Sequence, residues 1–520
     1  MRTDTARQFS APTILHALAW LVATTALLNT LYFVLRATSP VMQSDAWYFL
    51  DVFLRKAIDG HLSFTDFFVK RAGADHAQPL FKLVLLFEWH FFDLDFKVEA
   101  LIGLAAAVGC GIVLHRLTWG GLAATGSSPF VRPIAWMGMC LLLFTLNADA
   151  SVWTWSLVSL EYVALLTVLL YFVVAWHAIQ NRRGIMLWLA SLAVCISCDD
   201  LGTIATVAVA LTSVLVFVRN GGWRNRYLYK LLALLALALL LSRIFYNFMP
   251  VVGTTKAGPL WSYSQLLPKR FAEEGWWQWI VLPMTFPVFH ESWLTPAQTH
   301  AWAVFRVVFA IPLVLAHVVF WRRAWRCEIK CAAFAAICLM LLFYGQLAGI
   351  IIGRVAAHGN EYLEQSRYMI RYAEMPIALL LMWAESARSA LRKGRLLPHI
   401  VLPAIGCLIL LAVQIPLSMH AWGLRPFLLA YQVNMANQIG ELSLDPGRSV
   451  KCLPELPFCK YPPERRRDLT GLLRTHQLNV FSPRLQQRYP YLPKLTSEKQ
   501  TANKRSEPVA SQLIHSAAPG

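Results

Sequence analysis

Asp45 stands in Ser44-Asp45-Ala46-Trp47-Tyr48, a few residues past the first long apolar block, where a carboxylate meets aromatic side chains at the edge of a bilayer. A carboxylate at such a boundary is well placed to act as a general base on a lipid-linked substrate. His76 follows in Asp75-His76-Ala77-Gln78-Pro79-Leu80, just before the chain re-enters an apolar stretch. Its imidazole can assist or orient the base, and Gln78 beside it is read as a substrate contact. Far along the chain, Arg367, Tyr368 and Arg371 fall within about one helical turn, the arginines on one face at i, i+4. Guanidinium forks take phosphate oxygens bidentately, so this face suits a phosphate headgroup. The competing readings are plain: Asp45 as a helix cap or turn residue, and the arginines paired with Glu361, Glu364 and Glu374 in a structural network.

Other candidates carry less. Asp149, after Asn147, and the pair Asp199-Asp200 lie in tight turns between apolar blocks and can support catalysis or hold a cation. For Asp149, helix capping is an equal reading. Adjacent carboxylates at the end of an apolar span are costly unless used. His290-Glu291 and His358 have only their neighbours to recommend them. Cys195 and Cys198 form a CxxC without a basic partner, which reads as packing between helices. Cys452 and Cys459 bracket a Pro-containing turn in the hydrophilic tail and are expected to form a disulfide if that tail is extracytoplasmic. No phosphate-binding P-loop, dinucleotide fingerprint, HExxH or nucleophile elbow occurs, which argues against a nucleotide-driven pump or a grafted hydrolase.

The elements that must position these residues are membrane helices. Of 520 residues 57% are hydrophobic, above the roughly 45–50% of soluble domains, and they fall in blocks near the ~20 needed to cross a bilayer. The expected class is an all-α polytopic protein of about 11 transmembrane helices, at 13–35, 97–116, 133–147, 152–176, 184–199, 201–218, 230–249, 301–320, 331–352, 373–390 and 398–418. The stretch 79–92 is read as interfacial, with a further crossing as the alternative. Lys and Arg crowd every second gap: Arg2 and Arg7, Arg116 and Arg132, Arg182 and Arg183, Arg219 to Lys230, Arg322 to Lys330, Arg388 to Arg395. By the positive-inside rule those gaps and the N-terminus are cytoplasmic and the C-terminus is periplasmic. The net charge of +18 then reflects topology and attraction to the membrane surface rather than nucleic acid.

Three expected outer loops are long enough to hold structure: 36–96 with amphipathic interfacial helices, about 250–300 with the cluster Trp276, Trp277 and Trp279, and 354–374. The domain expectation is a transmembrane unit over 1–418, a small extracytoplasmic region over 419–496 that binds acceptor or packs over the loops, and a disordered tail over 497–520.

An Asp just past the first membrane helix, a long first outer loop, short acidic turns and a soluble tail resemble the GT-C superfamily of membrane glycosyltransferases. SDAWYFL, DHAQPLFKL, QSRY and LLRTHQLNVF look like segments of bacterial multi-span proteins assigned to that superfamily. The resemblance covers the whole chain. It implies transfer of a sugar from a polyprenyl-phosphate-linked donor to a cell-envelope glycan or lipid on the periplasmic face of the bacterial inner membrane, with Asp45 as base. Where the superfamily carries an acidic pair, Asp45 is followed by Ala46, so the metal is left unknown and a divalent cation stays open. The rivals are an envelope polysaccharide polymerase or ligase, centred on Arg367 and Arg371, and a non-enzymatic translocator of lipid-linked sugars.

Overall fold

The computed structural model describes residues 11–71, 76–120, 130–146, 151–221, 225–252, 265–275, 277–287, 299–326, 328–391 and 396–494. Arg2, Arg7, Asp75, Asn147, Asp149, Trp276, His290, Glu291 and Arg392 lie outside them, as does the tail from 497 onward.

Of the described residues, about 82% are helical. In order come α1 (Ala11–Ala37), α2 (Pro79–Phe92), α3 (Lys97–Trp119), α4 (Val131–Leu143), α5 (Glu161–Gln180), α6 (Gly184–Ser197), α7 (Asp199–Arg219), α8 (Arg226–Asn247), α9 (Thr299–Arg326), α10 (Cys331–Ile350), α11 (Met369–Leu391), α12 (Leu396–Leu444) and α13 (Pro463–Thr475). Among the described residues, eight helices are long and apolar enough to cross a membrane, and α4 and α6 are shorter apolar helices. Such segments are helical because hydrocarbon offers no partner to a bare peptide group. This is an all-α polytopic membrane protein.

The helices pack α10 on α11, α6 on α8, α4 on α11, and α3 on α5. The reversal between α6 and α7 is unusually tight. A Cβ on Gly202 would lie 2.1 Å from Val194 O, so only glycine lets α7 start this close to α6. Asp199 takes a left-handed backbone there, φ +51°.

α12 runs through 49 residues in one helix despite Pro403, Pro416 and Pro426. It therefore continues past 418, and its far end belongs to a second hydrophobic core. That core joins Trp47, Phe53 and Leu54 of the first loop and Leu85 of α2 to Ile439 and Leu442 of α12 and to Phe458, Leu473 and Phe481 of the tail. The helical stretch expected to lie on the interface, Ala46–Phe49, Leu50–Leu54 and Arg55–Ile58 in succession, thus buries Phe49 and Phe53 against protein. Asn479 is the seam's hub: fully buried, it donates to Pro40 O (3.0 Å) and Leu94 O (2.7 Å) and accepts from Met42 N (3.2 Å). The rest of this tail is held by Arg488 and Tyr489 on Asp95, each at 2.8 Å, and by a Cys452–Cys459 disulfide with Cα atoms 5.9 Å apart.

Candidate functional site

Two groups of candidate residues form where the first loop meets the ends of the bundle helices. The first is the arginine face. Ser366–Tyr368 is a single helical turn leading into α11, and it packs on the short helix Ser151–Thr154. The Arg367 guanidinium lies between two phenol rings, 5.1 Å from the Tyr362 centroid and 5.2 Å from that of Tyr368, and donates to the Tyr362 hydroxyl. Stacking of this kind fixes the plane of the fork. Arg371 donates from Nη2 to Glu161 Oε1 at 2.9 Å, on the first turn of α5. Of the glutamates expected to neutralise the pair, Glu374 acts on Arg371 by its charge, while the hydrogen bonds of Glu364 and Glu374 go elsewhere. Glu364 pairs with Arg306, Glu374 accepts from Gln346 Nε2 at 2.6 Å, and Glu361 is exposed. Arg367 Nε and Arg371 Nε are both shut from solvent, and neither has an acceptor.

The segment that carries Asp45 is tied to the short helix beside this face. Thr154 O, at the end of the helix on which Ser366–Tyr368 packs, accepts from Gln43 Nε2 at 3.0 Å, two residues before Asp45. Ser44 adopts φ +52° and donates its N–H to Glu455 O at 2.6 Å, while Trp47 stacks on Phe458 with centroids 4.1 Å apart. Asp45 is partly buried and precedes Ala46–Phe49, but its side chain makes no capping hydrogen bond to that helix. The cap reading therefore does not account for it, whereas the turn reading holds for its backbone, since Ser44 and Asp45 form the turn that enters this helix.

The second group gathers around His76. Its Nδ1 lies 3.4 Å from Asp200 Oδ2, and Arg243 Nη2 lies 3.1 Å from Asp200 Oδ1. Asp199 is buried; its Oδ2 accepts from Ala77 N at 2.7 Å, and its Oδ1 is shut from solvent with no donor. Among the described residues, His76, Asp199 and Asp200 are the one set whose donor atoms, within 4.8 Å of one another, can share a metal ion. Gln78 takes a left-handed backbone (φ +52°) at the start of α2, and its carbonyl accepts from Lys82 N. Lys70 and Arg71 form β1, paired in parallel with β2 (Val251–Val252), which ties the first loop to the segment after α8. Lys82 fastens the preceding turn through Asp66 O, Phe67 O and Val69 O, at 3.0, 3.0 and 2.9 Å. Burial pulls its ammonium down to about 8, against the pull of Asp66 and Asp199.

The two groups are neighbours, since Glu161 lies near enough to Cys198 for its charge to act on that thiol, and Cys198 immediately precedes Asp199. His76 thus keeps company with the acid pair. Asp149 lies outside the described residues. Sequence reasoning missed Glu161, Arg243 and Lys82, each an ordinary charged residue at a helix end with nothing local to single it out. Neither a protein-family model nor a curated protein nor a solved structure matches this chain.

Proposed function

We propose that this chain transfers a sugar from a polyprenyl-phosphate-linked donor to a cell-envelope glycan or lipid, as a multi-pass GT-C-like enzyme of the bacterial inner membrane. The observation that carries the reading is the pair of unmatched guanidinium nitrogens, Arg367 Nε and Arg371 Nε. A buried donor without an acceptor costs roughly 1–3 kcal/mol. A phosphate oxygen would supply the missing acceptor, charge-assisted, to a guanidinium whose plane is held by two tyrosine rings at Arg367 and by Glu161 at Arg371. Asp45 is assigned as the base. It takes the acceptor hydroxyl's proton as the acceptor oxygen bonds to the sugar's anomeric carbon, and the bond from that carbon to the phosphate oxygen breaks, leaving the phosphate to the arginines.

The finer topology belongs to the same reading. Adding α4, α6 and α11 to the eight long helices gives eleven crossings, with the N-terminus cytoplasmic and the C-terminus periplasmic. The alternation of Lys and Arg among the gaps supports it. Asp45, His76, Asp199 and Arg367 all fall in the intervening gaps, where Lys and Arg are confined to the longer loops and the tail.

The test is the envelope glycan profile, or transfer in vesicles supplied with a polyprenyl-phosphate sugar, for Asp45→Asn and Arg367→Lys. Loss in both, with normal insertion, is the expected result. Normal product from Asp45→Asn with none from Arg367→Lys favours the polymerase or ligase chemistry. An unchanged profile in both overturns the assignment.

A further inference from the structure

Beyond sugar transfer, the His76 group has the makings of a metal site. We infer that His76, Asp199 and Asp200 bind one divalent ion of the zinc type, through His76 Nδ1, a carboxylate oxygen of Asp199 and Asp200 Oδ2. Three observations converge. The residue types are those of a borderline divalent ion: one imidazole and two carboxylates. The spacing fits, because ligands ~2.0–2.2 Å from a tetrahedral ion sit about 3.4 Å apart, the separation between His76 Nδ1 and Asp200 Oδ2. All three donor atoms lie within 4.8 Å of one another.

The third observation separates this site from an ordinary ion-pair cluster. Asp199 is only 4% exposed and its Oδ1 has no donor, although Ala77 N, His76 and Arg243 all lie in the same group. Ala77 N fixes the other oxygen of that carboxylate, and Arg243 fixes the other oxygen of Asp200. The two contacts do for these carboxylates what outer partners do for metal ligands generally: they set the orientation and leave one oxygen free. Arg243 is half-exposed, so its charge is shared with solvent rather than directed wholly at the site.

Three protein ligands leave a fourth position open to water or another oxygen donor, the arrangement of reactive rather than sealed zinc sites. The ion would also join the end of the first loop to the first turn of α7, where the chain spends a left-handed residue on Asp199. The assignment does not depend on the transfer reading, because its readout is bound metal and not product.

The test uses the full chain in lipid nanodiscs, stripped with chelator, dialysed and titrated with zinc sulfate. About one equivalent should bind. His76→Ala and Asp199→Asn should each weaken binding by 10- to 100-fold or more, while His61→Ala, on an exposed turn elsewhere in the first loop, should leave it unchanged. Should either ligand variant fail to fold, cobalt added to the unaltered protein decides: visible bands of a four-coordinate N/O site support the assignment, and the spectrum of the hydrated ion overturns it. Failure of the unaltered protein to bind zinc, or unweakened binding by Asp199→Asn, means that Asp199 holds a proton there instead, and overturns it as well.

Discussion

The seam between the first loop and the tail and the arginine face both bury polar groups, and they treat them in opposite ways. At the seam, Asn479 uses its carbonyl and both amide hydrogens, and its own N–H reaches Asp93 O at 2.7 Å. Asp95 is met by Arg488 and Tyr489 together. At the arginine face two guanidinium nitrogens have no acceptor, and in the His76 group a buried carboxylate oxygen has no donor. Fully matched networks rigidify and specify a fold, and unmatched ones are costly. The match at the seam is not complete, since Arg55 Nε and the Glu88 oxygens also lack partners there, so the contrast rests on Asn479 and Asp95 against the arginine and His76 groups.

The largest expected effects break the comparison on the binding side. Asp45→Asn should lower transfer by roughly 10²- to 10⁴-fold while leaving thermal unfolding of the purified protein unchanged. A fall in melting temperature as large as that of a seam variant would move Asp45 into the structural class.

On the other side, Asn479→Ala strips partners from Pro40 O, Leu94 O and Met42 N. It should destabilise the first loop and tail by about 2–4 kcal/mol, seen as faster proteolysis within 41–58 and 450–492. Sites deep in the bundle should keep their protection. Equal loss everywhere would mean that the two cores unfold as one.

A smaller loss should follow Cys452→Ser with Cys459→Ser. The bridge closes a short loop, so its removal should cost no more than ~3 kcal/mol, confined to the tail and read by the same proteolysis. Two free thiols in the protein isolated under non-reducing conditions would remove the bridge from the seam altogether.

Glu88 sharpens the comparison from the seam side, because both its carboxyl oxygens are buried in α2 with another carboxyl, that of Glu99, as their neighbour. Burial, and then the charges of Glu99 and Asp95, push its carboxyl well above the usual range. The folded form therefore holds a proton that the unfolded chain gives up near pH 4.5, so stability falls as pH rises from there through the folded value. Glu88→Gln should flatten that dependence and raise stability at neutral pH by ~1 kcal/mol. A steeper dependence in the variant would show that the charged form is the one the fold prefers.

Much of this architecture was legible because a bilayer imposes long-range order on composition. Blocks near 20 residues and alternating Lys and Arg need no tertiary knowledge. The span expected at 398–418 is only the first part of α12, which continues to Leu444 through Pro403, Pro416 and Pro426. Packing of the tail over the loops was one of two expectations, but the residues of the second core were not legible, because they lie some four hundred residues apart in helices whose apolar faces read equally well as interfacial. In the candidate site the residue types were legible and the company was not. His76, Asp199, Asp200, Arg367 and Arg371 stood out by type and position. That Arg371 would meet Glu161, or His76 the acid pair, depends on helix packing that no local pattern encodes.

The shared core between the first loop and the tail has a consequence for how the protein is made. Trp47, Phe53 and Leu54 leave the ribosome long before Ile439, Phe458 and Leu473, the side chains that cover them. At about 5–20 residues per second, the interval is on the order of 20–80 s. Throughout it Trp47 lacks Phe458, the ring it stacks on, and the loop's core is covered only by its early members such as Leu85, on a chain that is still threading its later helices. Biogenesis of this molecule therefore has a waiting step built into its chain order, and a product that stops short of the last hundred residues never ends it.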